Sequence, residues 1–448
     1  MRPFVIALEL FFFYFLGAAS CLSLAAINAG QGGLSLFFLW RMVRGRWRPT
    51  TPEWLLIAYL ATNVLSALFS PLRHEALVGV LNHWSWSALF VGASLPWAVR
   101  RHFRRYIDFL AAGALLTVPM AAAEFFLGTD FHHHLLSQRV PFGQVNAYGY
   151  FSTHLTYAGV ITVCLCLFGA RALYGNGTEA VEAGGEAAWK DPIRSSSGLK
   201  DPVPPARRGI SILGSLLPSL RISWFWWLAA GFSTLGLFFS LARTYFVAAL
   251  PALAVLFWKK GKKAVLAVVV AVLVGGVVTL LAGPPGVRER LADAWNLRNP
   301  SVAERIYLWI SGFHMWQDKP LIGWGPGIYK ETAGPYKAPY AHFIHYPTHI
   351  GFQTVSHAHN IYLMVAIQSG LLGLILFFAF VVAAFRRIAA QPDSVLRYGA
   401  MAALTAILVG GFFEFNVGDA EVATLIFFLV GLALNQQGEA QPPSHAPG

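Results

Sequence analysis

The chain has 448 residues, 56% of them hydrophobic and only 12% charged, with a mean hydropathy of +0.54; soluble proteins carry about 25% charged residues, so a soluble globular fold is excluded and a polytopic all-α membrane protein is indicated. The formal charge of +12 does not point to nucleic acid, because the cations sit in short loops between apolar runs, where they act as topology signals. Cys21, Cys164 and Cys166 lie inside apolar runs, which argues against a disulfide framework and a thiolate metal site.

A helix crossing the hydrocarbon core needs about 20 apolar residues, and on that criterion roughly twelve spans are predicted. They fall near 4–27, 31–43, 53–70, 76–99, 106–127, 151–173, 223–241, 243–258, 264–282, 357–384, 398–416 and 419–435. Gly17-Ala-Ala-Ser before Cys21 resembles a signal-cleavage site, but Arg2 is the whole basic region and the apolar run continues to Ile27, so a retained first helix is expected.

The cations orient these spans. Arg41, Arg44, Arg46 and Arg48 form one cluster; Arg100, Arg101, Arg104 and Arg105 a second; Lys259, Lys260, Lys262 and Lys263 a third; Arg386, Arg387 and Arg397 a fourth. The alternate short loops are nearly bare, Arg73 being the exception. Twelve spans with both termini inside place all four clusters in the cytoplasm. The expected organisation is N-terminal transmembrane helices over 1–282, interrupted by a disordered cytoplasmic loop at 175–221, then an outer loop at 283–356, C-terminal transmembrane helices at 357–435 and a disordered tail at 436–448. The 175–221 segment is low in apolar residues and rich in Gly, Ser and Pro. The outer loop carries Trp295, Trp309, Trp316 and Trp324 among charges and glycines, which predicts short amphipathic helices lying on the outer face.

Several outer residues could carry chemistry. His132, His133 and His134 are adjacent, so they cannot all face one ion from a helix, and only Asp130 accompanies them; no metal site is expected there. Arg139 precedes Pro141-Phe-Gly-Gln-Val-Asn146, and Gly149-Tyr-Phe-Ser-Thr-His154-Leu-Thr156 opens the next span. Arg243 stands between apolar residues at an outer turn; a cation costs about 2.5–3.5 kcal/mol at a helix centre and usually marks function, with snorkelling as the alternative. Ser301-Val-Ala-Glu304-Arg305-Ile-Tyr-Leu-Trp309 predicts an amphipathic helix with Ser301 as N-cap and Glu304 completing a capping box. Arg305 then either pairs with Glu304 or Asp318 or faces a phosphate, to which guanidinium is suited. The turn Leu321-Ile-Gly-Trp-Gly325-Pro-Gly327 lacks the strand and the Lys-Ser/Thr helix of a nucleotide-phosphate loop, leaving close approach to a sugar or lipid.

His357-Ala-His359-Asn360 opens the long apolar run near the C-terminus. His359 sits where loop becomes helix, near free N–H groups that disfavour imidazolium, as a general base requires. Ala366, Gly370 and Gly373 fall within about 40° of it on a 3.6-residue helix and form a small-residue face for a neighbouring helix. Two interfacial histidines without chemistry are the alternative. The outer segments hold no Asp-x-Asp pair to fix a divalent metal on a diphosphate.

Together these residues resemble the O-antigen ligase and polymerase superfamily of bacterial inner-membrane glycosyltransferases. The family signature of His, then Asn, Ser or Gln, nine residues, Gly, two residues, and Gly, Thr or Val is matched by His359-Asn360, nine residues, and Gly370-Leu-Leu-Gly373. Arg305-x-x-x-Trp309 with Gly323-Trp-Gly325-Pro-Gly327 resembles the start of the family's large periplasmic loop, and Ser240-Leu-Ala-Arg243 is similar to its membrane-edge arginine. The resemblance implies transfer of a glycan from undecaprenyl diphosphate to an acceptor hydroxyl, a lipid A core sugar in the ligases, with no metal and no cofactor, on the periplasmic face of the inner membrane. It implies His359 as the base with His357 as neighbour or substitute, Arg243 and Arg305 on the diphosphate with Arg139 assisting, and Asn360, Gly325 and Trp309 in substrate binding. Polymerases that join glycan repeats and transferases that move glycans to protein share this chemistry and differ in acceptor. A carrier or transporter is the reading from another class; it should place ionisable residues at mid-membrane and use broken helices. The run Tyr336-Lys-Ala-Pro-Tyr340-Ala-His342-Phe-Ile-His345-Tyr-Pro-Thr-His349 matches no family motif.

Overall fold

The computed structural model describes residues 3–128, 146–175, 223–283, 285–293, 296, 299–343 and 355–435. Among these residues the chain is helical and has no strand. Apart from Gly175, the predicted disordered loop and tail lie outside the described residues, as do His132, His133, His134 and Arg139.

The apolar runs become helices: Pro3–Ala19, Leu24–Val43, Thr51–Leu68, Phe103–Leu127, His154–Tyr174, Ser223–Ser240, Arg243–Phe257, Lys262–Ala282, Ile361–Ala389, Val395–Gly410 and Ala420–Leu434. Four of these, Phe103–Leu127, His154–Tyr174, Lys262–Ala282 and Ile361–Ala389, are long and apolar enough to cross a membrane, and the chain is a helical membrane protein. Three boundaries differ from expectation. The first two spans divide at residues 20–23, not 27–31: the Leu22 and Ser23 N–H groups both turn back to the Ala19 carbonyl, at 2.9 and 3.2 Å, and Ser23 is the next N-cap. The predicted span 76–99 is a series of short pieces, Arg73–Asn82, a 3₁₀ turn His83–Ser87, and Ala88–Ser94, halted before Pro96. The predicted span 398–416 stops at Gly410, leaving residues 411–419 as a loop.

The His154–Tyr174 helix is the axis of the bundle. It is buried continuously from Thr156 to Arg171 and packs against Ser223–Ser240, Arg243–Phe257, Val395–Gly410 and Ala420–Leu434. At the edge, Arg41 donates to Glu9 at 2.6 Å, both side chains buried, which ties the first two helices together. Each of those charges would be costly alone.

Three helices run between the same two ends of the molecule. Arg243 starts a helix that Lys259 follows; Arg397 lies near the start of the one that Glu414 follows; His359 precedes the one that carries Arg386 and Arg387 in its last turn. At the cationic end, Lys259 and Arg397 share Asp393, at 2.8 and 2.6 Å, and Arg387 donates to the Leu434 carbonyl at 3.2 Å. The third and fourth cation clusters therefore meet on one side, with Arg243, His359 and Glu414 at the far ends of those helices.

The Ile361–Ala389 helix is broken at Gly370 (φ 65°, ψ −166°), a conformation essentially confined to glycine. The turn 320–325 fills the break. Trp324 N–H donates to the Ile367 carbonyl at 2.8 Å and Gly325 N–H to the Gln368 carbonyl at 3.0 Å, while Leu371 N–H donates to the Pro320 carbonyl at 2.7 Å. The backbone groups freed by the break are thus satisfied by this turn, as burial requires. A Cβ on Gly370 would lie 2.2 Å from Leu321 backbone atoms. The expected small-residue face is therefore only partly a helix contact: Gly373 faces Thr62 of the Thr51–Leu68 helix, but Gly370 receives a loop. Gly325, expected at substrate, belongs to this docking turn.

Candidate active site

At the end opposite the cation clusters a cavity of about 800 Å³ is lined by residues from four separate parts of the chain, a volume in the range of small-molecule sites. Asn146 comes from the segment before the axial helix and His154 from its first residue, Leu241 to Thr244 from the turn into Arg243–Phe257 and that helix's first residues, Ser301 to Trp309 from the helix Pro300–Asp318, and His359 and Phe413 from the C-terminal part. Arg243, Arg305, Trp309 and His359, which together span more than a hundred residues of sequence, are thus brought together.

Local chemistry explains each placement. The helix bearing Arg305 runs Pro300–Asp318, and its N-cap is Asn299, whose side chain accepts from Ser301 N–H at 3.1 Å. This corrects the expected Ser301 cap; Pro300 suits the first helical position, where no amide hydrogen is needed. Ser301, Arg305 and Trp309 recur every four residues and share one face, with Glu304 also on the cavity. Arg305 donates to the Ser301 carbonyl and hydroxyl at 3.0 and 2.7 Å and to the Phe413 carbonyl at 3.1 Å. Its remaining nitrogen stands 3.8 Å from Glu414. Asp318, one of the two partners suggested for Arg305, accepts instead from the Tyr336 hydroxyl. Arg243 follows Leu241, which has φ 52° in the turn between two helices. His154 and Asn146 approach at 3.4 Å.

Leu241 and His359 are the two non-glycine residues with positive φ among those described, at 52° and 48°, and both line the cavity. Such backbone costs about 1–3 kcal/mol and clusters at functional sites. His359 stands one residue before its helix, which Asn360 caps by accepting from Leu363 N–H at 2.9 Å. Asn360 also donates to the Phe412 carbonyl at 2.9 Å, and Trp309 donates to the His359 carbonyl at 3.4 Å.

The group that faces His359 is a carboxylate. His359 Nδ1 lies 2.9 Å from each oxygen of Glu414, which orients the ring and leaves Nε2 for the cavity. Burial acts to raise the Glu414 carboxyl, but the facing His359, with His357 and Arg305 behind, outweighs it and holds it down at about 2. His357 sits behind the pair, Nδ1 3.9 Å from Glu414; burial, the adjacent His359 and Arg305 push its imidazole down to about 4 against the pull of Glu414. It is a neutral neighbour and does not line the cavity.

Sequence reasoning missed Glu414 because Phe412-Phe-Glu414-Phe falls in a stretch read as membrane span. The signal was present: an ionisable residue inside an apolar run is a functional-site candidate by default. It missed Glu304 as a cavity residue by giving it a capping role. His357, Asn360 and Gly325 stand outside the cavity lining, the first two beside His359 and the last in the docking turn.

No curated relative matches the chain. Residues 228–378 match the protein family described as O-antigen ligase. That segment contains Arg243, Arg305 and His359, and the match supports membership of the O-antigen ligase and polymerase superfamily.

Proposed function

We propose that the protein is an O-antigen ligase-like inverting glycosyltransferase that moves a glycan from undecaprenyl diphosphate to an acceptor hydroxyl, a lipid A core sugar or another glycan, on the periplasmic face of the bacterial inner membrane. One observation carries the reading: a single cavity holds two arginines and a histidine that is itself oriented by a buried carboxylate. Nε2 of His359 takes the acceptor proton as the hydroxyl oxygen attacks the anomeric carbon. The bond from that carbon to the diphosphate oxygen breaks, its electron pair leaves with undecaprenyl diphosphate, and the anomeric centre inverts. Glu414 stabilises the imidazolium that forms, as a buried carboxylate does behind a catalytic histidine. Arg243 and Arg305 stabilise the departing diphosphate, Trp309 bounds the sugar, and Arg139 is assigned to the donor by the resemblance alone. No metal is needed where the leaving group is already a stable diphosphate held by guanidinium groups.

The broken helix does not favour a carrier. Its freed carbonyls are occupied by the 320–325 turn, whereas a transporter leaves them to line the substrate path. Ligase, polymerase and protein-directed transfer differ in acceptor, so the test supplies all three. Purified protein is given lipid-linked donor with lipid A core, glycan repeat or peptide acceptor in EDTA. Transfer that survives chelation and is lost in His359→Ala and Arg243→Ala supports the reading; full activity in His359→Ala overturns the base assignment.

A further inference from the structure

The groups behind the cavity also form a donor set. One ligand atom from each of His357, His359 and Glu414 lies within 4.8 Å of the others. His359 Nδ1 is 2.9 Å from both Glu414 oxygens, and His357 Nδ1 is 3.9 Å from the nearer one. Ligands bonded at about 2.0–2.1 Å to a tetrahedral ion stand roughly 3.4 Å apart, a spacing that the two observed distances bracket. His357 Nδ1 accepts the His359 backbone N–H at 3.3 Å, so it is an unprotonated nitrogen whose single lone pair an ion would take over from that hydrogen bond. Two imidazoles and one carboxylate suit zinc and its first-row neighbours and do not suit Mg²⁺ or Ca²⁺, and three protein ligands leave a position open. Arg305, 3.8 Å from Glu414, opposes the ion and keeps the site reversible.

We propose that His357, His359 and Glu414 form a reversible inhibitory site for a zinc-class divalent ion. The inhibition follows from the tautomer. With Glu414 on Nδ1, neutral His359 carries its proton there and Nε2 is the basic nitrogen. An ion bound at Nδ1 moves that proton to Nε2, so the nitrogen that would meet the acceptor is no longer a base. The ion also takes the carboxylate that would stabilise the imidazolium. Inhibition rests on the role proposed for His359; binding does not.

The test titrates the full detergent-purified chain with CoCl₂. Expected are one saturable equivalent with visible ligand-field absorption, its displacement by ZnCl₂, and weakening in His357→Gln and Glu414→Gln by at least about 100-fold, since loss of groups merely behind a ligand already costs 10–100-fold. In the wild-type chain, which needs no variant to fold, Zn²⁺ should slow carbethoxylation of the peptide bearing His357 and His359. Absence of saturable binding, unchanged affinity in both variants, or no protection overturns the site. ZnCl₂ should then lower transfer, with EDTA restoring it; an ion bound as stated without lowering transfer overturns the inhibitory role. Binding as stated in a protein that transfers nothing in metal-free buffer upholds the site and counts against the glycosyltransfer reading instead.

Discussion

The Nδ1 of His359 lies 2.9 Å from both oxygens of Glu414, although 55 residues separate them in the chain. Glu414→Gln keeps the shape and removes the charge that would stabilise an imidazolium. Transfer should fall about 10²- to 10⁴-fold, the scale of general-base effects, while donor binding persists. Steady-state kinetics check this: a fall in kcat with little change in donor KM is expected, and partial recovery in Glu414→Asp.

Arg243 and Arg305 are assigned to one diphosphate from two elements. Lysine keeps the charge but lacks the fork that grips two oxygens. Arg305→Lys should also lose part of the contact to the Phe413 carbonyl and Ser301 that fixes its direction. Each substitution is expected to lower kcat/KM about 10- to 100-fold at 1.4 kcal/mol per decade, and the double variant less than multiplicatively, because the two act on one group. Equal and independent effects would argue for separate ligands.

Gly370→Ala tests the docking of the 320–325 turn. The added Cβ meets backbone, which cannot rotate away, and alanine resists this φ at a cost of about 1–3 kcal/mol. Lower thermal stability and faster proteolysis between residues 300 and 343 are expected. Gly275→Ala serves as the comparison, since a Cβ added there meets nothing within 4 Å.

Lys337 sets a pH dependence. Burial outweighs the pull of Glu304 and pushes its ammonium down to about 8 from 10.5, in a pocket where it lies over the Tyr329 ring and donates to the Val355 carbonyl. Between about pH 8 and 10.5 the unfolded chain holds more protons at this residue than the folded one, so stability rises with pH there. Below pH 8 both forms are charged and the full burial penalty applies. Thermal melts of wild type and Lys337→Met across pH 7–10.5 should shift in the wild type's favour as pH rises; a constant difference would refute the assignment.

Much of this architecture was legible because hydrophobic runs and cation clusters depend only on composition. Arg243, Arg305, Trp309 and His359 could each be picked out as chemically unusual for their surroundings. What could not be read was their meeting: Glu414 faces His359 only because Val395–Gly410 ends early, and nothing in Phe412-Phe-Glu414-Phe states where its helix stops. The role of Gly370 was hidden for a similar reason. Helical periodicity assumes an unbroken helix, and the break becomes visible only beside the turn that fills it. Gly325 looked like a substrate contact because a glycine-rich turn requires close approach to something; that something is the backbone of another helix.

The cavity's volume of about 800 Å³ bears on what the proposed reaction can sense. On the proposed reading it has room for the sugars at the join and not for the remainder of a polymer. The residues that carry the chemistry therefore read chain ends, and the number of repeats on the donor is invisible to them; any control of glycan length must be exerted before the donor arrives.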